Sequence, residues 1–307
     1  MILFPIALDL LIWLGPHLRL TSLINSIVGQ INRLSGLQDP QSAEILQAST
    51  EIWTLIGERL NLLVLLRSYP VGIPSLMAAR LPIAMPTGEP LKWEVSTLLG
   101  AIAAWGIITL IGLAAGSLYF ILVAQAALKK EIDWSQALVY WPQATLQVVF
   151  LTIFWAVLLL GASIPGSVLV SLSSLGGVAL AQCALLMYVG FILWLIFPML
   201  FSTHGIFVEH KNMFDSLKAS VRLTRMTLPI TGLFILLAIL LSQGLDLLWE
   251  VPDENSWLAV VGIAGHAFVT TGLLAASFVY YREATRWVQR VSQKSSFAVV
   301  RDMLRKS

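Results

Sequence analysis

Three ionisable residues interrupt otherwise apolar runs of this sequence, namely Asp9, Asp246 and His266. A charged side chain inside a bilayer costs about 3 kcal/mol or more, so such residues are expected to be paired or functional. Asp9 could pair with Arg19 or lie at an interface, and Asp246, close to Trp249, could lie at the outer interface. His266 could be neutral and hydrogen-bonded across helices, or it could belong to a proton or substrate path.

A second group of candidate residues is a basic stripe within residues 211–228. Its charged positions recur three or four residues apart, and apolar residues form another stripe along the same segment (Phe214, Leu217, Val221 and Leu228). This periodicity predicts a basic amphipathic helix at the cytoplasmic interface, which would anchor the following span. Its basic residues are candidate contacts for anionic lipid headgroups: Lys211, Lys218, Arg222 and Arg225.

Motifs for catalysis or cofactor binding are missing from the sequence. There is no GxxxxGK[ST], no GxGxxG after a strand and no HExxH. His204 and His210 are six residues apart, which places them on opposite sides of a helix and argues against a zinc site with Glu209. Ser163 and Ser167 lack a nucleophile motif that would pair them with His266 for proteolysis. The sequence therefore predicts a non-enzymatic protein with no catalytic residue, metal or cofactor.

The elements that carry these residues belong to a membrane protein. Of the 307 residues, 57% are hydrophobic and 12% charged, and the mean hydropathy is +0.82. Soluble domains carry about 25% charged residues. A single cysteine excludes a disulfide scaffold, and a net charge of +2 gives no electrostatic footprint for nucleic acid. We expect an all-α, polytopic integral membrane helical bundle.

Uncharged runs of about 20 residues mark the membrane spans. The first apolar segment, Ile2–Leu14 within residues 1–15, is too short for a comfortable crossing, so we expect a short or incomplete span there. No basic residue precedes it and no cleavage site follows it, which argues against a secretory signal. With it, the sequence predicts about six transmembrane helices, the other five lying at about 96–128, 144–163, 178–201, 229–249 and 257–281.

The distribution of basic residues predicts the orientation in a bacterial-type inner membrane. Thirteen of the 19 Lys and Arg residues fall in segments on one side, including the basic tail 282–307, so we expect a cytoplasmic C-terminus. The side of the N-terminus depends on whether the first segment crosses. Residues 16–95 are expected to form an extracytoplasmic helical cap, with an amphipathic helix over 42–66 followed by a proline-rich stretch.

Small residues at four-residue spacing predict close helix packing within the bundle 96–281. Gly112 and Gly116 form a GxxxG motif, and Gly177 precedes Ala181 by the same interval. A weak internal repeat also relates residues 131–141 to residues 210–220 at an offset of 79. Each half would contain an interfacial helix followed by two crossings, as expected for a duplicated membrane module.

The run from Glu209 to Arg225, followed by an apolar span, resembles a segment of bacterial polytopic proteins related to the membrane domain of glycerophosphoryl diester phosphodiesterases. The resemblance covers roughly residues 120–285. It implies a bundle of about six helices in the membrane and no catalytic residue, because the phosphodiesterase domain has no counterpart in this sequence.

Together, these features predict a membrane module that organises or senses lipid or a partner protein. The alternative is a small-solute or lipid transporter that uses a duplicated helical module. The expected partners are the bilayer and its anionic headgroups, another membrane protein or a second copy of the chain, and no nucleic acid.

Overall fold

The computed structural model describes residues 1–35, 40–129 and 131–306, and most of this part of the chain is helical. The predicted all-α class is confirmed. Some residues that entered the orientation prediction lie outside the described part, namely Lys130 and the side chains of Lys294, Arg301, Arg305 and Lys306.

The chain forms two compact units. Unit 1 comprises residues 1–119 and 240–272, and unit 2 comprises residues 120–239 and 273–307. Each unit therefore combines a continuous stretch with a later segment of the chain.

Residues 1–95 of unit 1 form short elements: α1 (Leu3–Leu14), β1 (His17–Arg19), α2 (Thr21–Ser35), α3 (Pro40–Arg59), a 3₁₀ turn (Leu62–Leu66), α4 (Met77–Arg80) and β2 (Lys92–Glu94). The first segment is a helix of 12 residues, as short as the sequence suggests. Strands β1 and β2 pair in parallel, with Leu18 opposite Trp93, and so join the two ends of this region. The helix predicted over 42–66 is shorter than expected, because Asn61 caps a separate 3₁₀ turn by accepting a hydrogen bond from the backbone N–H of Leu63.

The remaining elements are α5 (Leu98–Lys129), α6 (Trp134–Ser174), α7 (Val178–Ile196), a 3₁₀ turn (Phe197–Met199), α8 (Ser202–Glu209), α9 (Met213–Met226), α10 (Leu228–Trp249) and α11 (Ala259–Lys306). Among the described residues, five helical stretches are long and apolar enough to cross a membrane: Leu98–Lys129, Trp134–Ser174, Val178–Glu209, Leu228–Trp249 and Ala259–Val291. The protein is a multi-pass membrane protein.

Two helices extend well beyond the predicted spans. Asp133 caps α6 by accepting a hydrogen bond from the N–H of Gln136 at 3.0 Å, so residues 131–141 do not form a separate interfacial helix. The helix continues through Pro142. Likewise, α11 continues from the predicted span into the basic tail 282–307.

In each half of the predicted repeat, a helix begins after a residue whose side chain caps it. Asp133 caps α6, and 79 residues later Asn212 caps α9 in the same way. The apolar stretches before these caps, Leu98–Lys129 and Val178–Glu209, both contain 32 residues. The halves differ afterwards, because α6 is one helix of 41 residues whereas the second half divides into α9 and α10 at Thr227.

Candidate functional site

Helix α9 in unit 2 carries the basic stripe. The side-chain oxygen of Asn212 accepts a hydrogen bond from the N–H of Asp215 at 2.9 Å, and the Asp215 carboxylate lies in the first turn, where it suits the helix dipole. Lys218, Arg222 and Arg225 are exposed along the following turns. The helix therefore presents three cationic side chains on an exposed face.

The opposite face of α9 is buried through hydroxyl groups. Ser216, Ser220 and Thr224, spaced four residues apart, are all fully buried. Of the four residues in the predicted apolar stripe, Leu217 is buried within the protein, whereas Phe214 is 64% exposed. Sequence reasoning missed the hydroxyl stripe, although its regular spacing of four was a visible signal.

These hydroxyls form hydrogen bonds with backbone groups at a break in the preceding apolar stretch, Val178–Glu209. Pro198 lies in the 3₁₀ turn Phe197–Met199, and its carbonyl accepts hydrogen bonds from the hydroxyls of Ser220 at 2.8 Å and Thr224 at 3.4 Å. The N–H of Phe201 donates to the Ser220 hydroxyl at 3.1 Å, and the Ser216 hydroxyl donates to the carbonyl of Ser202. Backbone groups left without helical partners at the break are thereby satisfied.

Two open grooves flank α9 beside this break. One has a volume of about 650 Å³ and is lined by apolar residues that include Trp194 and Phe197. The other, of about 550 Å³, is lined by residues that include Phe154, Lys218 and Arg222. Both grooves are lined in addition by Met199, Val221 and Arg225. Each groove is thus mostly apolar and has at least one cationic side chain in its lining.

Such an arrangement suits a molecule that combines hydrocarbon chains with a negative charge. The guanidinium groups of Arg222 and Arg225 offer planar forks of donors that match phosphate oxygens. The apolar walls offer contacts to methylene groups, and burying each methylene contributes about 0.8 kcal/mol. An amphiphilic anion could use both features at once.

Lys211 does not share this environment. Its ammonium group donates to the Glu209 carboxylate at 2.8 Å, and the Tyr281 hydroxyl donates to the same carboxylate oxygen at 2.7 Å. The four predicted headgroup contacts therefore divide into three residues that line the second groove and one that forms an ion pair elsewhere.

No protein-family model matches the chain, and no curated protein or solved structure matches it either.

The predicted intramembrane polar residues all lie in unit 1, and two of them form a direct pair. Nδ1 of His266 and Oδ1 of Asp246 are 2.7 Å apart, joining α11 to α10. Asp9 is fully buried, and its carboxylate accepts hydrogen bonds from the Ser75 hydroxyl and from the N–H groups of Leu76 at 3.2 Å and Met77 at 2.8 Å. These donors all come from residues 75–77, so Arg19 is not among the hydrogen-bond partners of Asp9 in the described part of the chain.

The glycines of the GxxxG motif lie against backbone from the N-terminal region of unit 1. A Cβ atom at Gly112 would lie 2.5 Å from the carbonyl oxygen of Leu66, and one at Gly116 would lie 2.1 Å from that of Val71. Gly177 is different, because nothing lies within 4 Å of its Cβ position and its φ is +106°. Its glycine serves the turn between α6 and α7, and Ala181 follows in the first turn of α7.

The residues considered for zinc have other partners. Nε2 of His204 lies 2.8 Å from the Ser277 hydroxyl, Glu209 binds Lys211, and the His210 ring packs edge-on against Tyr140. Burial, with the Lys129 charge as a second cause, lowers the pKa of His210. Among the described residues, no group of three His, Cys, Asp or Glu side chains could hold a metal ion.

Proposed function

We propose that the protein is a non-enzymatic lipid-binding module of a bacterial inner membrane. It binds an anionic phospholipid in the two grooves beside α9, which together form its lipid seat. The observation that carries the proposal is the position of Arg225, which lines both apolar grooves beside Val221. One phosphate could bind the guanidinium group while the two acyl chains follow the two grooves.

Charge complementarity favours an anionic lipid over a zwitterionic one. Lys218 and Arg222 line the second groove together with Arg225, and no acidic side chain among the described residues lines either groove. Each Lys or Arg close to an anionic membrane surface contributes about 1 kcal/mol of attraction. The buried hydroxyls of α9 hold the helix against the break at Pro198, so the cationic side chains are presented by a fixed element.

The proposal includes the orientation expected from the sequence, with α9 and the C-terminus at the cytoplasmic face, where anionic lipids attract basic segments. It also includes kinship with the membrane-domain family named above, because the run that carries that resemblance contains all three cationic residues of the grooves.

Native mass spectrometry of the detergent-purified protein, titrated with phosphatidylglycerol or phosphatidylcholine, tests the proposal. The double variant Arg222→Gln/Arg225→Gln removes two charges from the grooves. We expect it to lose about 2 kcal/mol, or roughly thirtyfold in affinity, for phosphatidylglycerol alone. The variant Val221→Trp fills space in both grooves, so it should weaken the binding of both lipids.

A matched control removes the same charge from another helix. Arg286 and Arg290 are exposed on α11, and the variant Arg286→Gln/Arg290→Gln should leave phosphatidylglycerol binding within about twofold of the unmodified protein. If the control weakens binding as much as the α9 variant does, the attraction is diffuse and the seat at α9 does not exist.

A further inference from the structure

The His266–Asp246 pair in unit 1 has the geometry of an oriented imidazole. An ionised carboxylate only accepts hydrogen bonds, so Nδ1 of His266 carries the hydrogen that bridges the 2.7 Å separation from Asp246. Nε2, on the other side of the ring, is then a lone-pair acceptor. His266 is only 5% exposed, and α10 and α11 are both among the helices that can span a membrane.

The Nε2 atom is buried and has no hydrogen-bond partner within the described part of the chain. The indole Nε1 of Trp249 is buried and unpartnered as well, and the Trp249 ring packs on α11 so closely that a Cβ atom at Gly265 would lie 2.6 Å from it. Leaving a buried polar atom unpaired costs about 1–3 kcal/mol, which structures seldom accept without a use for the atom.

A second acidic residue, Asp9 of α1, interacts only weakly with His266, and burial raises the pKa of Asp9 and so favours its neutral form. Asp246 is the acidic partner from α10, and α4 contributes Arg80, whose guanidinium donates to the carbonyl of Pro252 at 2.9 Å. Of these three ionisable groups, only the Asp246 carboxylate is in direct contact with the imidazole.

Two other imidazoles are buried among the described residues: that of His17, whose Nε2 also has no hydrogen-bond partner there, and that of His204, which offers a comparison with His266. His204 in unit 2 uses Nε2 in a hydrogen bond with the Ser277 hydroxyl, and its ring packs against Phe201, Phe278 and Tyr281. It has no carboxylate partner among its hydrogen bonds. His266 differs in both respects, having a carboxylate on Nδ1 and an open Nε2.

We propose that Nε2 of His266 is a proton-binding site within the membrane-spanning part of unit 1. Asp246 holds the ring in the tautomer that leaves Nε2 open. When the proton binds Nε2, the pair changes from neutral imidazole with carboxylate to imidazolium with carboxylate. The net charge of the pair thereby changes from −1 to zero. This site is independent of the lipid seat proposed for α9.

Nitrogen-15 labelling of histidine tests the site directly, because the chain contains only four histidines. The spectrum of the full-length protein in detergent is recorded as the pH is lowered, and His266→Gln identifies the His266 signals. We expect these signals to change from the neutral pattern to the imidazolium pattern. In Asp246→Asn the proton affinity of His266 should fall at least about tenfold, which moves the change at least about one pH unit lower.

Two comparisons keep the test decisive. Asp246→Glu retains the negative charge and should restore most of the proton affinity, which separates the electrostatic role from a general loss of packing. The signals of His204 should stay unchanged in every variant. The proposal fails if the His266 signals keep one form throughout the titration, or if Asp246→Asn and Asp246→Glu shift the change equally.

Discussion

The fully buried Asp9 offers the sharpest test of what holds α1 to the rest of unit 1. Its carboxylate accepts hydrogen bonds from the Ser75 hydroxyl and from the N–H groups of Leu76 and Met77, at the start of α4. The first N–H groups of a helix have no partner within the helix, so Asp9 caps α4 from another element. The substitution Asp9→Ala would leave all three donors without an acceptor.

The magnitude follows from the burial of those donors. Ser75, Leu76 and Met77 are all almost fully buried, so water does not readily replace the lost acceptor. Each buried donor left unpaired costs about 1–3 kcal/mol, but the Ser75 hydroxyl can rotate toward another acceptor. Two backbone amides at about 2 kcal/mol each give an expected loss of about 4 kcal/mol. Asp9→Asn retains one acceptor oxygen and should lose about half as much.

Hydrogen exchange of the backbone amides measures this loss where it arises. Since each 1.4 kcal/mol corresponds to about a tenfold change in an equilibrium constant, exchange at Leu76 and Met77 should accelerate roughly a thousandfold in Asp9→Ala. Asp253→Ala removes a carboxylate from an exposed position and serves as the control. If Asp9→Ala and Asp253→Ala exchange equally at these two amides, Asp9 does not cap α4 and the reasoning is refuted.

Two further predictions concern unit 1. Gly116→Ala should destabilise the protein by about 1–3 kcal/mol in unfolding titrations with sodium dodecyl sulfate, because the added Cβ would meet the carbonyl of Val71. Gly106 lies on the same helix, and nothing lies within 4 Å of its Cβ position. Gly106→Ala should therefore be neutral or slightly stabilising. Burial, with the Arg19 charge as a second cause, lowers the pKa of His17. The unfolded chain therefore binds the proton more readily, and stability should fall as the pH drops below about 6.5. His17→Gln should reduce that slope, and an unchanged slope would contradict the assignment.

The transmembrane helices could be predicted from the sequence because hydropathy and length determine which segments enter lipid. The ends of α6 and α11 could not, since polar residues beyond the hydrocarbon layer continue a helix as readily as they form a loop. Pro142 illustrates the difficulty. It suggests a helix boundary by its residue type, yet α6 continues through it.

The candidate site was predictable only on its charged side. The spacing of Lys218, Arg222 and Arg225 is a property of one helix and can be read from the sequence. The buried role of Ser220 depends on the carbonyl of Pro198, 22 residues away, and no local pattern connects the two. Similarly, the sequence identified Asp246 and His266 as unusual residues, whereas their pairing required the arrangement of α10 against α11.

The cationic residues of the two grooves have no charged counterparts at the offset of the predicted repeat. At the offset of 79, Lys218, Arg222 and Arg225 correspond to Val139, Gln143 and Leu146, none of which is charged. Pro198 corresponds to Tyr119, where α5 continues without a break, and Ser220 corresponds to Trp141. The proline break, the hydroxyl groups that form hydrogen bonds with it and the cationic face thus occur together within residues 197–225. This combination is what supports the proposed lipid binding at α9.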